Sequence, residues 1–399
     1  MDGNRRMTAT TRGPLSGLLV ADFSRILAGP YATMLLADLG AEVIKVEGPG
    51  GDDTRSWVPP TREDVSTYYL SINRNKRSIV LDLKNAEDLA LAGELAERAD
   101  IMIENFRPGG LAKYGLDYTS VAATNPALIY ASISGFGAGG GAHLPGYDLM
   151  VQAISGLMSL TGSPDGPPFR AGISVFDVMT GMHALIGILA ALHERETSGQ
   201  GQHVEVNLLA SALSGLVNQT GAYVAGGVTP HRMGNAHPSL FPYEPLPASD
   251  GDIIIISGND RQFATLCDAL GAPELATDPR FRTVGDRTAN REILRPLLER
   301  QLARHTREEW FDILIKAGVP AGPINSIAEG VQFADGIGLD PVVEVGEGER
   351  AVPLVRNPIR FSRSAAQYRM PPPTTGEHDE QLRAWLATPQ DEAQDEAQR

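Results

Sequence analysis

One cysteine, Cys267, is all the thiol this chain carries. No intramolecular disulfide is possible, no zinc site can be assembled from thiolates, and the compartment reads as reducing. Cys267 lies in the helix-like stretch RQFATLCDAL (261–270), where packing is a better account of a lone thiol than nucleophilic chemistry. Basic charge is also scarce: 34 Lys and Arg stand against 49 Asp and Glu, a net charge of −15. That balance disfavours nucleic acid or an anionic membrane as a partner, and it requires any anionic ligand to be held by a local basic cluster or by backbone N–H groups. The 8 histidines never fall in an H-x-x-x-H or H-E-x-x-H spacing, so nothing argues for a metal. No G-x-S-x-G elbow is present to support serine hydrolase chemistry. The longest apolar stretch, around 184–192, falls short of the roughly 18 residues of a spanning helix. The N-terminal MDGNRRMTATTRG has no apolar core of a signal peptide, so residues 1–12 are expected to form a flexible arm and the protein to be cytoplasmic.

What is present from Leu18 to Ser134 is an alternation of β-branched runs with helical periodicity, punctuated by Gly, Pro, Asn and Asp. Strands are expected at 18–23, 42–47, 78–83, 101–105 and 127–134. Helices are expected at 30–39, 85–98 and 118–123, followed by longer ones at 148–161 and 178–196. The strands are apolar on both faces, the mark of a buried parallel α/β sheet. The 178–196 helix is apolar around its circumference and is expected to be fully buried. Residues 13–220 therefore read as a large α/β domain, the Pro- and Gly-rich 221–250 as a linker, and 251–330 as a small α/β domain. Residues 331–375 read as irregular and Pro-rich, and 376–399 as a C-terminal segment ending in a solvated tail with two DEAQ repeats.

Three motifs carry the chemistry. GFGAGG (135–140) satisfies a dinucleotide spacing after a strand, but Gly141, Pro145 and Gly146 follow and no helix can open on the last glycine, so nicotinamide and flavin are set aside. The stretch reads as a mobile loop or as backbone that closely approaches a ligand. Asp177, in FDVMTG (176–181), precedes a long apolar helix and reads as its N-cap; a carboxylate held ionised there by the helix dipole, beside apolar walls, also has the properties of a nucleophile. Gly181, one turn on, leaves room for a substrate or another backbone. NRNKRS (73–78) sets Arg74, Lys76 and Arg77 before a strand, and is either a solvated charged turn or an anchor for phosphate groups.

Together the segments resemble the family III CoA transferases over nearly the whole chain, about Leu15 to Pro373. The resemblance rests on 22–47 (DFSRILAGPYATMLLADLGAEVIKVE), GDDTR (51–55), NRNKRSI (73–79), ENFRPG (104–109), PGYD (145–148), FDVMTG (176–181) and SGNDRQF (257–263). It implies a Rossmann-like large domain, 13–220, that binds CoA and carries the catalysis, and a small α/β domain joined to it by long linkers, with 331–375 returning and 376–399 packing on the large domain, in an interlocked, ring-like homodimer. It implies coenzyme A thioesters as substrates, with no permanently bound cofactor. The family's nucleophile falls on Asp177, which implies aspartyl-acyl anhydride and aspartyl-CoA thioester intermediates. Its CoA contacts fall on Arg25, Ile26, Leu27, Ala28, Arg55, Asn75, Lys76, Asn105, Phe106 and Lys113; a phosphate-binding arginine of the family is Gly48 here.

The acyl pocket implied by the resemblance includes Tyr147, Arg170, His237 and Gly258. The family's glycine loop is SGNDRQ (257–262) in this chain. Tyr147 separates the transferases from the related α-methylacyl-CoA racemases, which carry a histidine acid/base there; a phenol with pKa near 10 is poorly suited to that work. FRAGIS (169–174) and GNAHPSLFPYE (234–244) look most like the dicarboxylate, succinate–hydroxymethylglutarate branch, with Arg170 as clamp for a distal carboxylate and Arg232 as a weaker candidate. The expected activity is CoA transfer from an acyl-CoA donor, succinyl-CoA foremost, to a dicarboxylic acid. The alternatives are an α-methylacyl-CoA racemase and a CoA-binding dimer without catalysis.

Overall fold

The computed structural model describes residues 13–389; the expected N-terminal arm and the DEAQ tail lie outside the described residues. The chain divides into two compact units. Among the described residues the first takes 13–155, 171–226 and 340–389, and the second takes 156–170 and 227–339.

The first unit is built on six strands: β1 (Leu19–Asp22), β2 (Glu42–Glu47), β3 (Lys76–Val80), β4 (Ile101–Glu104), β5 (Ile129–Ser134) and β6 (His203–Asn207). All neighbours run parallel, in the order β3-β2-β1-β4-β5-β6. Val20 pairs with Val43 on one side and with Ile101 on the other. This is the doubly wound order, whose direction reverses between β1 and β4 and leaves a crevice beyond the strands' carboxyl ends. The core strands are buried on both faces, Val20, Ala21, Ile44, Ile101, Met102 and Ile103 among them, which is why apolar runs revealed them. β6 was not anticipated. Its sequence HVEVN is half polar, because an edge strand is covered less fully.

Helices α1 (Ala28–Asp38), α2 (Ala86–Arg98), α3 (Tyr118–Thr124), α4 (Asp148–Ile154) and α5 (Val175–Ser198) accompany the sheet. The Asn85 side chain caps α2 by accepting from the N–H groups of Glu87 and Asp88. The single helix expected over 148–161 is broken: Gly156 takes φ 97°, and a separate turn runs Leu157–Leu160. Nor is α5 fully buried. It is long and apolar enough to cross a membrane by length and composition, yet it packs by one face only. Ala184 and Ile188 are wholly covered, whereas Ile186 is 62 % exposed. Of the two uses foreseen for Gly181 the structure takes the second, since a Cβ there would lie 2.5 Å from the Ala28 carbonyl oxygen of α1.

The C-terminal helix Asp379–Ala387 buries Leu382 and Leu386 in the same core as α2. At its start, His378 Nδ1 accepts from the Ser78 N–H at 3.2 Å and Asp379 Oδ1 from the Val80 N–H at 2.7 Å, so side chains occupy the open edge of β3. The region 331–375, read as irregular, includes an antiparallel hairpin of Val342–Val345 with Val352–Val355.

The second unit holds a three-stranded antiparallel sheet, with Asp252–Ile256 between Tyr243–Pro247 and Ala321–Pro323. Tyr243–Pro247 corrects the linker reading of 221–250. Its prolines 245 and 247 do not prevent pairing, because an edge strand needs N–H donors on one side only. Helices Asp260–Ala269, Arg291–Leu302 and Arg307–Ala317 close over Ile253, Ile255, Phe263, Leu294 and Trp310. Cys267 is buried among them, and burial pushes its thiol up to about 12, as befits a packing residue.

Candidate active site

The carboxyl ends of β1 and β4 flank the point where strand order reverses, and the residues that follow them are tied together. The Arg25 N–H donates to Asn105 Oδ1 at 3.0 Å, and Asn105 Nδ2 returns a bond to the Arg25 carbonyl at 2.7 Å. Next in the loop, Ile26 adopts φ 71°, a left-handed conformation that a β-branched side chain disfavours. It is held there by Asp52, whose two oxygens accept from the Ile26 N–H at 3.3 and 3.4 Å. Asp52 is itself fixed by Lys45 Nζ at 2.8 Å and by the Thr54 hydroxyl at 2.7 Å. Strain held in place by buried partners is a common feature of functional loops.

A cleft of about 420 Å³ opens over this loop. Arg25, Ile26, Trp57, Tyr68, Asn105 and Tyr147 line it, and Asp177 lies in its wall. Asp177 belongs to the first turn of α5 and is not its N-cap; Ser174 stands at that position without a side-chain bond to the turn. The helix is capped from elsewhere, by Asp148 Oδ1, which accepts from the N–H groups of Phe176 at 2.8 Å and Asp177 at 3.2 Å. The expectation that the helix dipole keeps Asp177 ionised also reverses. Desolvation first, and the Asp148 charge second, push its carboxyl up to about 7. No cation offsets them. Tyr68, pushed up to about 12 mainly by burial and then by the Asp177 charge, remains a neutral phenol at physiological pH, with its hydroxyl bonded to Ser174.

A second cavity, of about 260 Å³, shares Phe106, Arg107, Pro108, Ile133 and Ser134 with this cleft. Glu104, Tyr118, Ser132 and His203 are among its lining residues. Burial raises the Glu104 carboxyl and lowers the His203 imidazole; the His203 ring stacks on Tyr118 at 4.9 Å, and its Nε2 lies 2.9 Å from Ser132 Oγ.

The model of CoA-transferase family III matches residues 15–379. The chain belongs to that family. As a member it is an enzyme, a CoA transferase. It is 46 % identical over 387 residues to the succinate–glutarate CoA-transferase of Agrobacterium fabrum, covering 94 % of this chain and 96 % of the relative. It is 42 % identical to the acetyl-CoA:oxalate CoA-transferase of Acetobacter aceti, across 96 % of this chain and the relative's whole length. A crystal structure of a CAIB/BAIF family protein from Brucella suis superposes with a TM-score of 0.84 at 44 % identity, over 94 % of this chain and all of that one.

In this transferase the cleft brings together Arg25, Ile26, Ala28, Asn105, Phe106, Tyr147 and Asp177 from the expected set. Leu27 is buried at the N-cap of α1. The other expected residues lie outside the lining of this cleft, with partners of their own. NRNKRS is neither a solvated turn nor an open anion anchor: Arg74 pairs with Asp38 at 2.6 Å, and Lys76 Nζ is buried against Asp22 at 3.2 Å, the Pro30 carbonyl at 2.9 Å and Asn73 Oδ1 at 3.0 Å. Asn75, at φ 63°, joins Asp38 to the 367–370 segment, accepting from the N–H groups of Arg369 and Met370. Arg55 is bound to both Glu47 oxygens at 2.8 and 2.6 Å and to the Pro373 carbonyl at 3.1 Å. Lys113 is exposed over the Tyr114 ring.

Arg170, Arg232, His237 and Gly258 are carried by the second unit. Arg232 Nε donates to the Ser163 carbonyl at 3.3 Å, and His237 Nδ1 accepts from the Ser239 N–H at 3.1 Å. The Gly258 N–H donates to Gln262 Oε1 at 2.8 Å while Asn259 caps the following helix, so side-chain bonds order the SGNDRQ turn. Asp148 entered the sequence reading only as the last residue of PGYD, without a role, and Gln152 and Tyr68 escaped it. Besides that signature, the signal in the sequence was the helical i, i+4 spacing of Asp148 and Gln152; the partner at 176 lies 28 residues away. Among the described residues no group of His, Cys, Asp or Glu could hold a metal ion.

Proposed function

We propose that this transferase moves CoA from succinyl-CoA to a dicarboxylic acid, with Asp177 as the covalent nucleophile. One Asp177 oxygen attacks the thioester carbonyl and expels CoA thiolate, leaving an aspartyl-acyl anhydride. The thiolate attacks the aspartyl carbonyl, releases the donor acid as its carboxylate and leaves an aspartyl-CoA thioester. The acceptor carboxylate then displaces the thiolate to form a second anhydride, and the thiolate attacks the acceptor carbonyl to give the new thioester and free Asp177. Each step exchanges one acyl bond for another and needs no proton transfer. The observation that carries the reading is the Asp177 carboxyl in the wall of the switch-point cleft, with its affinity for a proton, and hence its basicity, raised to about 7. Tyr68, a neutral phenol, is available as a donor to the developing oxyanion.

The cleft and the cavity that shares its rim offer an extended path for the CoA chain, with Arg25, Ile26, Asn105 and Phe106 along it. A dicarboxylate acceptor is supported by the named relatives, one handling succinate and glutarate and the other oxalate. Assembly as an interlocked homodimer is supported by the apolar side chains that a single chain leaves uncovered, including Ile186, Val217, Tyr223 and Val224. The lone buried thiol fits a cytoplasmic enzyme.

The test is to incubate the protein with succinyl-CoA and a panel of glutarate, hydroxymethylglutarate, mesaconate and oxalate, following new thioesters by mass. Exchange with at least one acid is expected; exchange with none sinks the assignment. Hydroxylamine is expected to trap Asp177 as its hydroxamate only when acyl-CoA is present. A carboxyl near 7 also suits proton transfer, the racemase reading, which predicts deuterium wash-in at the α-carbon of an α-methylacyl-CoA without any acceptor; none is expected.

A further inference from the structure

The helix that carries Asp177 borrows its cap from a separate segment. Asp148 is buried, and while its Oδ1 serves the Phe176 and Asp177 N–H groups, its Oδ2 accepts from Gln152 Nε2. Gln152, one turn further along α4 and fully buried, also donates to the Ile173 carbonyl at 3.1 Å and accepts from the Ala171 N–H at 2.9 Å. One face of α4 therefore grips both the strap that leads into α5 and the first turn of α5. A neutral Ser or Thr would satisfy an N-cap as well, and the chain has Ser174 at that position making no such bond.

We propose that Asp148, with Gln152 behind it, is the positioning residue of the nucleophile, fixing the Asp177 main chain and so the line along which its carboxylate meets the thioester. The proposal rests on the reading of Asp177 as the nucleophile. A displacement of about 1 Å in a reacting group can cost about 100-fold in rate, so an anchor one bond removed from the reacting residue has large leverage.

Choosing a carboxylate as anchor has a second effect. The groups around Asp177 are Asp148 from α4, Tyr68 from the helix Thr67–Ile72, Tyr147 at the head of α4, and Arg25, Asp53 and Arg107 along the cleft. Arg25 and Asp53 pair with each other at 3.3 Å, and Tyr68 stays neutral. Asp148 is the charge that adds to desolvation in raising Asp177. The anchor thus fixes the nucleophile and makes it more basic, and a more basic oxyanion is the stronger nucleophile toward a thioester once it is ionised.

The two effects separate by substitution in the full chain. In Asp148→Asn the amide oxygen still accepts from both N–H groups, while the charge goes together with the bond from Gln152 Nε2, because an NH2 replaces Oδ2; in Asp148→Ala the cap goes as well, and Gln152→Ala, which removes the Gln152 bonds alone, is the control for that loss. The pH dependence of Asp177 esterification by a diazo compound, which consumes the protonated acid, is read by peptide mass spectrometry and needs no turnover. kcat and KM are measured in parallel, with circular dichroism to report folding. Asp148→Ala is expected to lower kcat by about 10- to 100-fold with KM for succinyl-CoA within about 3-fold, and Gln152→Ala to lower kcat less. Asp148→Asn is expected to retain most of kcat at pH 8, and to move both the labelling midpoint and the rising limb of kcat/KM to lower pH. A folded Asp148→Ala with wild-type kcat, or an Asp148→Asn with an unmoved midpoint, overturns the proposal. If the midpoint moves but Asp177→Ala still turns over, the nucleophile assignment falls and the coupling of the two carboxyls stands.

Discussion

Two groups of buried carboxylates within the first unit are treated in opposite ways. Beneath the Arg25–Ala28 loop, Asp22, Asp52 and Glu47 lie among Lys76, Lys45 and Arg55, and these cations with their hydrogen bonds hold all three carboxyls below their ordinary range despite burial. At the head of α5, Asp177 is desolvated with a second carboxylate beside it, no cation contributes to its shift, and it is driven up. The same desolvation acts on both groups, so the presence or absence of a partner decides the sign. The contrast separates a foundation, in which charge is neutralised to hold a strained loop, from the proposed site, in which charge is left uncompensated.

The sharpest way to break the comparison is to remove the uncompensated charge. Asp177→Asn is expected to lower turnover by about 10⁴-fold or more, on the scale of losing a covalent nucleophile. The same variant is expected to be more stable than the wild type above pH 7. The folded-state pKa of Asp177 is raised, so between about pH 4 and pH 7 the folded protein holds a proton that the unfolded chain has released, and stability falls as pH rises through that window. Thermal melts at pH 4 and pH 8 measure it: the variant's advantage should appear at pH 8 and shrink toward pH 4.

Removing a foundation cation does the reverse. Lys45→Met leaves Asp52 buried without its partner and is expected to cost about 3–5 kcal/mol in denaturant unfolding, the usual penalty for breaking a buried pair. The lowered carboxyls give the sign of the acid response. Stability supplied by Asp22, Asp52 and Glu47 is present above about pH 4 and is lost as pH falls through their folded-state values.

The smallest effect is expected at the rim. Arg25 is exposed and pairs only with the exposed Asp53, so Arg25→Ala should leave the melting temperature unchanged while raising KM for the CoA substrate by about 3- to 10-fold. An unchanged KM would take Arg25 out of the CoA path.

Legibility follows the same division. The strands β1, β2, β4 and β5 are evident because a parallel strand buried on both faces must be apolar throughout; β6, at an edge, lacks that signature. Asp177 is recognisable from its motif, but its electrostatic state is not, since Asp148 lies 29 residues earlier and desolvation with that charge outweighs the dipole. NRNKRS misleads for the same reason. Its cations meet Asp38 and Asp22, 36 and 54 residues away, and a local window that contains only one side of an ion pair reads as an unpaired basic cluster.

By itself the sequence determined the parallel α/β class, the family and the position of the proposed nucleophile, because burial periodicity and contiguous motifs are properties of short stretches of chain. Only the tertiary structure decided which charges are neutralised, which carboxyl caps which helix, and that Asp177 holds its proton until about pH 7. Coulombic and desolvation energies depend on distances through space between residues remote along the chain, and those distances exist only once the chain has folded.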